Sequence, residues 1–430
     1  MSSSYRLETL ALHAGQEADP VTNARAVPVH RTASYLFNST EHAANLFALK
    51  ELGNIYTRLG NPTQEVLEKR MAALEGGAAA LALSSGTSAI FNTVVNICKA
   101  GDEIVAANNL YGGTYTMFDS ILPQFGMKVH LVDPSRPQDV KQALNDRTRL
   151  VYAESIGNPG LGITDIEAFA QVAHDHGVPL VVDSTFATPY LLQPISHGAD
   201  IVVHSLTKWL GGHGTAIGGV VVDSGKFDWT DSRFALYNEP DDSYHGVRYA
   251  HDLGELAPLA FILRMRLVPL RNLGACISPD NAWMFLQGIE TLPLRMQRHC
   301  DNAGEMANFL VDHKQVEWVR YPGLPEDPSH ETAKRYLKNG FGGMVVFGVK
   351  GGYESAVKLI DSVKLFSHLA NVGDAKSLIL HPSSTSHSQL SEEQQRAGGL
   401  TPELIRLSIG LENIEDLKEA LDEALLASSK

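Results

Sequence analysis

Between residues 79 and 222, short apolar runs alternate with stretches long enough for helices. The runs fall at 79–83, 103–106, 128–132, 150–153, 180–182, 201–203 and 219–222. They are too short for helices and mostly rich in β-branched residues, as strands buried on both faces require. The intervening segments carry helical periodicity, as in 165–176. Strand and helix in alternation imply a mostly parallel sheet with helices on both faces, because a parallel connection needs a long crossover. In such sheets ligands gather beyond the carboxyl ends of the strands.

Polar motifs fall at those ends. The strand 201–203 leads into Ser205, Thr207 and Lys208 and then a glycine-rich loop. A lysine there is either a surface cation or a desolvated amine able to attack a carbonyl and form a Schiff base. In LSSGTSAI, residues 83–90, small polar residues around Gly86 precede a helix beginning near Thr87. That start is either an ordinary cap or a phosphate cradle of free N–H groups. No GxGxxG or GK[ST] sequence accompanies it. Tyr111, before two glycines, is either a packing residue or a stacking platform. Asn158 lies in an Asn-Pro turn and reads as a turn former. Asp183 ends a strongly apolar strand, where a carboxylate is costly unless it caps a turn or meets a buried cation. Upstream, Tyr56 and Arg58 lie on an irregular segment, and the arginine fork suits a phosphate.

A chain of 430 residues exceeds one simple core, so two or three domains are expected. Residues 1–60 read as an extended, turn-rich arm with a short helix at 41–50 capped by Thr40; residues 61–279 read as the sheet domain, with an ordered insertion near the site at about 223–279. A second domain, 280–430, holds helices at 281–286, 294–311, 353–363 and 414–426, strands at 344–349 and 404–409, and a polar loop at 381–399. In the last strand alternation sets Arg406 opposite the isoleucines, suited to a structural salt bridge or a bidentate carboxylate contact.

The formal charge of −14 argues against a nucleic-acid-binding surface or a polybasic membrane anchor. No apolar run approaches the ~20 residues of a membrane helix. The N-terminus lacks the apolar core of a secretory signal, so the cytoplasm is the expected location. Cys98, Cys276 and Cys300 form no paired motif, and His245 and His251 lack a metal spacing, so no metal is expected.

Taken in order, YTRLGNPT, LSSGTSAI, LYGGTY, ESIGNP, VVDSTFATPY, HSLTKWLGGHG, HPSSTSHSQL and LIRLSIG resemble the Cys/Met-metabolism family of pyridoxal-phosphate (PLP) enzymes. The likeness runs from about residue 5 to 428. ETLALHAGQEAD, STEHAANLFALKELGNIYTR and the insertion after Val222 are most similar to the members that join sulfide to O-acetylhomoserine.

The resemblance implies the α/β fold type I of PLP-dependent transferases, aspartate-aminotransferase-like, with a large mostly parallel-sheet domain and a smaller C-terminal α+β domain. It implies that Lys208 holds PLP covalently, that Asp183 pairs with the ring nitrogen, and that Tyr111 stacks on the ring. Gly86, Thr87, Ser205 and Thr207 would hold the phosphate, and Tyr56 and Arg58 would reach the cofactor of a neighbouring subunit. The site would then need at least a dimer, commonly paired into a tetramer. Arg406 would grip the substrate carboxylate with help from Asn158 and Ser377, and Lys208 and a tyrosine, Tyr111 or Tyr56, would move protons. The implied reaction is γ-replacement: O-acetylhomoserine and sulfide, or a small thiol, give homocysteine and acetate on the way to methionine. The alternatives are a cystathionine or methionine γ-lyase, a cystathionine γ-synthase, or a PLP-binding regulator without catalysis. The methionine γ-lyases of the family carry a cysteine where this chain has Gly113, and the family often has Tyr-Gln where this chain has His30-Arg31.

Overall fold

The computed structural model describes residues 5–385, 388, 395 and 399–428. The larger sheet has seven strands: β1 (Ala79–Leu83), β2 (Glu103–Ala107), β3 (Lys128–Val132), β4 (Thr148–Glu154), β5 (Leu180–Asp183), β6 (Ile201–Ser205) and β7 (Gly219–Asp223). Their order is β1-β7-β6-β5-β4-β2-β3. Every expected strand forms, some longer by a residue or more. Strands β2 to β6 pair in parallel, whereas β7 is antiparallel to both neighbours, β1 and β6. The central strands are buried because helices cover both faces, with Val181, Val182, Val202 and Val203 fully enclosed, whereas the edge strand β3 is only partly covered.

The second sheet has the order β10-β11-β12-β9-β8. Its strands are β8 (Val316–Arg320), β9 (Met344–Val349), β10 (Ser367–His368), β11 (Leu378–Leu380) and β12 (Leu404–Ser408). Ile405 and Leu407 of β12, with Ile409 just beyond it, enter the core of this smaller domain, while Leu404 joins the core of the larger one. Alternation along one strand therefore turns Arg406 toward the seam between the domains.

Two expectations change. The N-terminal segment is not simply extended: Leu7–His13 is a helix. The i, i+3, i+4, i+7 spacing of Leu7, Leu10, Ala11 and Ala14 packs it into the large core, with Ala11 fully buried. The helix Thr40–Phe47 is capped by Ser39, whose side chain accepts from His42 N, rather than by Thr40. Along the helix Leu292–Val311 the two hydrophobic clusters meet: Met296 and Cys300 belong to the larger and Ala303 and Met306 to the smaller. Of the polar segment 381–399, most residues lie outside those described.

The insertion folds on the far side of the helix Gly86–Ile97. Trp229 stacks on Tyr237 at 4.3 Å, and Arg264 donates to Asn96 O and Oδ1 at 2.9 Å. None of its residues lines the cavity described next.

Candidate active site

Parallel pairing brings the carboxyl ends of β4, β5 and β6 side by side: Glu154 is opposite Asp183, and Asp183 opposite Val203. Beyond these ends, between the domains, lies a cavity of about 280 Å³. Its walls include Gly86, Thr87, Tyr111, Asn158, Asp183, Ser205, Thr207, Lys208 and Arg406. A larger hollow of about 1110 Å³ lies under the N-terminal segment. Its Lys69 is already paired with Glu65 at 2.6 Å, and it gathers no comparable set of buried charges.

Lys208 follows β6 and points into the smaller cavity, where Nζ donates to Asn371 Oδ1 at 2.6 Å. Burial, with Arg406 adding repulsion, lowers its pKa to about 8. A sizeable fraction of neutral amine is thereby available near neutral pH. Asp183 is pushed up by burial and held down in part by Thr185. One carboxylate oxygen accepts from Thr185 N at 2.9 Å and Thr185 Oγ1 at 2.5 Å, and the other takes only a long contact of 3.4 Å from Tyr152 OH. That second oxygen has capacity for a cationic donor.

Arg406 is 5 % exposed, and burial lowers its pKa to about 10. Its Nη1 donates to Asn158 Oδ1 at 2.9 Å, and Nε has no partner among the described residues. A buried guanidinium without a carboxylate is costly, and this one can accept an anion that enters the cavity.

The third corner suits a phosphate. The helix Gly86–Ile97 starts here, with Ser85 capping through Ser88 N. A Cβ on Gly86 would stand 2.7 Å from Ser205 Cβ, so only glycine lets the two backbones approach this closely. Thr207 Oγ1 accepts from Gly218 N at 3.1 Å, which fixes the opposite wall. An amine, a buried acid and an anion cradle in one cavity fit the aldehyde, ring nitrogen and phosphate of PLP.

Tyr111, 46 % exposed, is held through its backbone N–H, which donates to Glu154 Oε1 at 2.7 Å. A Cβ on Gly113 would fall 2.6 Å from Tyr111 Cε1, so the tyrosine ring occupies the space a larger residue would need.

Three expected residues stand elsewhere. Ser377 is fully buried away from the cavity: its hydroxyl donates to Glu412 and accepts from Gly410 N. It is not among the residues that line the cavity. Tyr56 and Arg58 lie off the cavity of their own chain. Tyr56 is 41 % exposed, and Arg58 stacks over it while bonding Arg271 O.

Sequence reasoning passed over Glu154 and Asn371. Glu154 ends an apolar strand just as Asp183 does, and burial together with Asp183 raises its pKa well above the usual carboxylate range. Asn371 lies 163 residues from Lys208 and carries no local signature.

A lysine, an acid and an arginine enclosed at the carboxyl edge of a mostly parallel sheet define a PLP-dependent enzyme, and the chain belongs to the family described as Cys/Met metabolism PLP-dependent enzyme, whose model matches residues 8–426. Within it, the chain is 55% identical to an O-acetyl-L-homoserine sulfhydrylase of Leptospira meyeri, over 99% of this chain and 98% of that one. It is 50% identical to a homocysteine synthase of Schizosaccharomyces pombe, over 98% of each chain. A crystal structure of an O-acetylhomoserine (thiol)-lyase from Campylobacter jejuni, containing N'-pyridoxyl-lysine-5'-monophosphate, superposes with a TM-score of 0.95 at 41% identity, covering 98% of this chain and all of the other.

Proposed function

We propose that this enzyme catalyses γ-replacement, converting O-acetylhomoserine and sulfide to homocysteine and acetate. The observation that carries the reading is that Lys208, Asp183 and Arg406 share one enclosed cavity. When bound, PLP supplies an electron sink that makes the substrate's α- and β-protons removable. Arg406, steered by Asn158, binds the substrate carboxylate and so points the α-carbon toward Lys208. Lys208 Nζ, the amine that would hold the cofactor, would remove the α-proton and return protons to the carbon chain. Asp183 keeps a proton on the ring nitrogen, since its buried carboxylate is stabilised by a cation at that point. Gly86, Thr87, Ser205 and Thr207 hold the phosphate, and Tyr111 covers the ring. The apolar walls at Ile90, Ile156, Ile217 and Phe186 exclude water that would compete with sulfide.

Tyr56, exposed, and Arg58, half-buried, lie off their own cavity and fit a site completed by a second copy of the chain, which makes the working unit at least a dimer. A γ-lyase is the weaker reading, because this chain has Gly113 where methionine γ-lyases of the family carry a cysteine. Among the described residues no helix is long and apolar enough to cross a membrane. Product analysis with O-acetylhomoserine and sulfide tests the assignment. Homocysteine and acetate are expected, whereas 2-oxobutyrate and ammonia as main products would assign a lyase.

A further inference from the structure

We propose that Asn371 positions the reactive amine: its amide oxygen accepts a hydrogen bond from Lys208 Nζ and, being neutral, holds that amine in the cavity without locking it as an ammonium. This deepens the reading above and rests on Lys208 being the amine that carries the chemistry.

The contact, 2.6 Å long, joins the lysine loop of the large domain to a loop of the small one. That second loop, between β10 and β11, cannot drift. Gly373 N donates to Ser408 Oγ at 2.9 Å, and Ala375 N donates to Gly212 O at 2.8 Å. Gly373 has φ +76, and a Cβ there would sit 2.5 Å from Trp209 N, so the loop is pressed against the residue that follows Lys208. Ser408 lies two residues beyond Arg406 on the same face of β12. One strand therefore carries the carboxylate-binding arginine and also buttresses the loop that holds the lysine.

A neutral acceptor matters because of what else faces this amine. Arg406 repels a proton on it, while Tyr111, Glu154 and Asp183 share the cavity. From the loop itself, Asp374 sits near Gly214 and accepts from Lys376 N. On the other side of β6, His204 is paired with Glu75 at 2.6 Å. Burial and Arg406 bring Lys208 to about 8. An amide oxygen accepts one N–H and leaves the lone pair of the neutral amine free. A carboxylate in its place would stabilise the ammonium and remove the base.

The test uses the full-length protein freed of cofactor. Lys208 is trace-acetylated across about pH 6 to 11 and quantified by peptide mass spectrometry, with exposed lysines in the same digest as references. Wild type should label with a midpoint near 8. Asn371→Asp should raise the midpoint by at least about one unit, or about tenfold less labelling at neutral pH. Asn371→Ala removes an acceptor from the ammonium and should lower the midpoint below that of wild type. Loosened packing would shift both variants the same way. Equal midpoints, or shifts of one sign, overturn the proposal. Asn371→Asp is nearly isosteric, so its comparison with wild type decides alone if the alanine variant loses its near-ultraviolet dichroism. Reloading wild type with pyridoxal phosphate separates the two ideas: no bound-cofactor absorbance would defeat the reading of Lys208 itself, and absorbance with unmoved midpoints would defeat only the role of Asn371.

Discussion

Arg406 Nη1 donates to Asn158 Oδ1 at 2.9 Å across 248 residues of chain, and this neutral amide is the side-chain partner of a guanidinium that is 5 % exposed. The asparagine fixes the direction of the fork without neutralising it. A carboxylate in that position would have closed the site to an amino-acid substrate.

Arg406→Lys should therefore raise KM for O-acetylhomoserine by about 10- to 100-fold, the loss of a charge-assisted bidentate contact worth roughly 1.5–3 kcal/mol. Asn158→Ala should raise it less, about five- to tenfold, because only the orientation is lost. Steady-state kinetics with varied ester separate the two, and an unchanged KM in the lysine variant would remove Arg406 from substrate binding.

Asp183→Asn leaves the carbonyl oxygen to accept from Thr185 but takes away the charge that keeps a proton on the cofactor ring. We expect kcat to fall by about 10²- to 10⁴-fold, on the scale of a lost acid–base group. The absorbance of bound cofactor, read beside the rate, distinguishes this from a simple failure to load.

Gly113→Cys puts an atom 2.6 Å from Tyr111 Cε1, so the ring must swing away. Loss of an aromatic stack is worth about 0.5–1.5 kcal/mol, which predicts roughly two- to tenfold weaker cofactor binding. Equilibrium dialysis against pyridoxal phosphate measures it. Binding as tight as wild type would place the stacking surface elsewhere.

His299, on the helix that crosses between the domains, donates Nδ1–H to Ile409 O at 2.6 Å and packs edge-on against Trp209. Burial lowers its pKa from 6.5 to about 4. Between these values the unfolded chain binds the extra proton and the folded one does not, so the stability associated with His299 is lost as pH falls from 6.5 toward 4. Denaturant melts of wild type and His299→Asn should converge over that window, by up to about 3 kcal/mol. Parallel stability curves for the two proteins would contradict it.

If Tyr56 and Arg58 serve a neighbour's site, Arg58→Ala and Lys208→Ala, each weak or inactive alone, should recover activity when dissociated together and reassembled. No recovery in verified mixed oligomers would confine each site to one chain.

The large sheet was legible because period and length are local properties. Apolar runs of strand length separated by helical periodicity admit few arrangements, and β1 to β7 form where those runs lie. Lys208, Asp183 and Gly86 were legible for a related reason: each is a polar or flexible residue at the end of an apolar strand or start of a helix, where such a residue needs an explanation. Arg406 was half legible, since alternation gave its face but not what that face meets.

Only the tertiary structure decided the rest. Cavity contacts between the domains join residues far apart in the chain, such as Lys208 with Asn371 and Arg406 with Asn158, and no periodicity encodes such a pairing. Ser377 shows the converse, a residue the resemblance placed at the substrate whose hydroxyl is bonded to Glu412 and Gly410. Local pattern determines which elements form and which way their side chains face. The charge, partner and burial of a reactive group depend on what packs against it, and that is settled when the two domains close on one another.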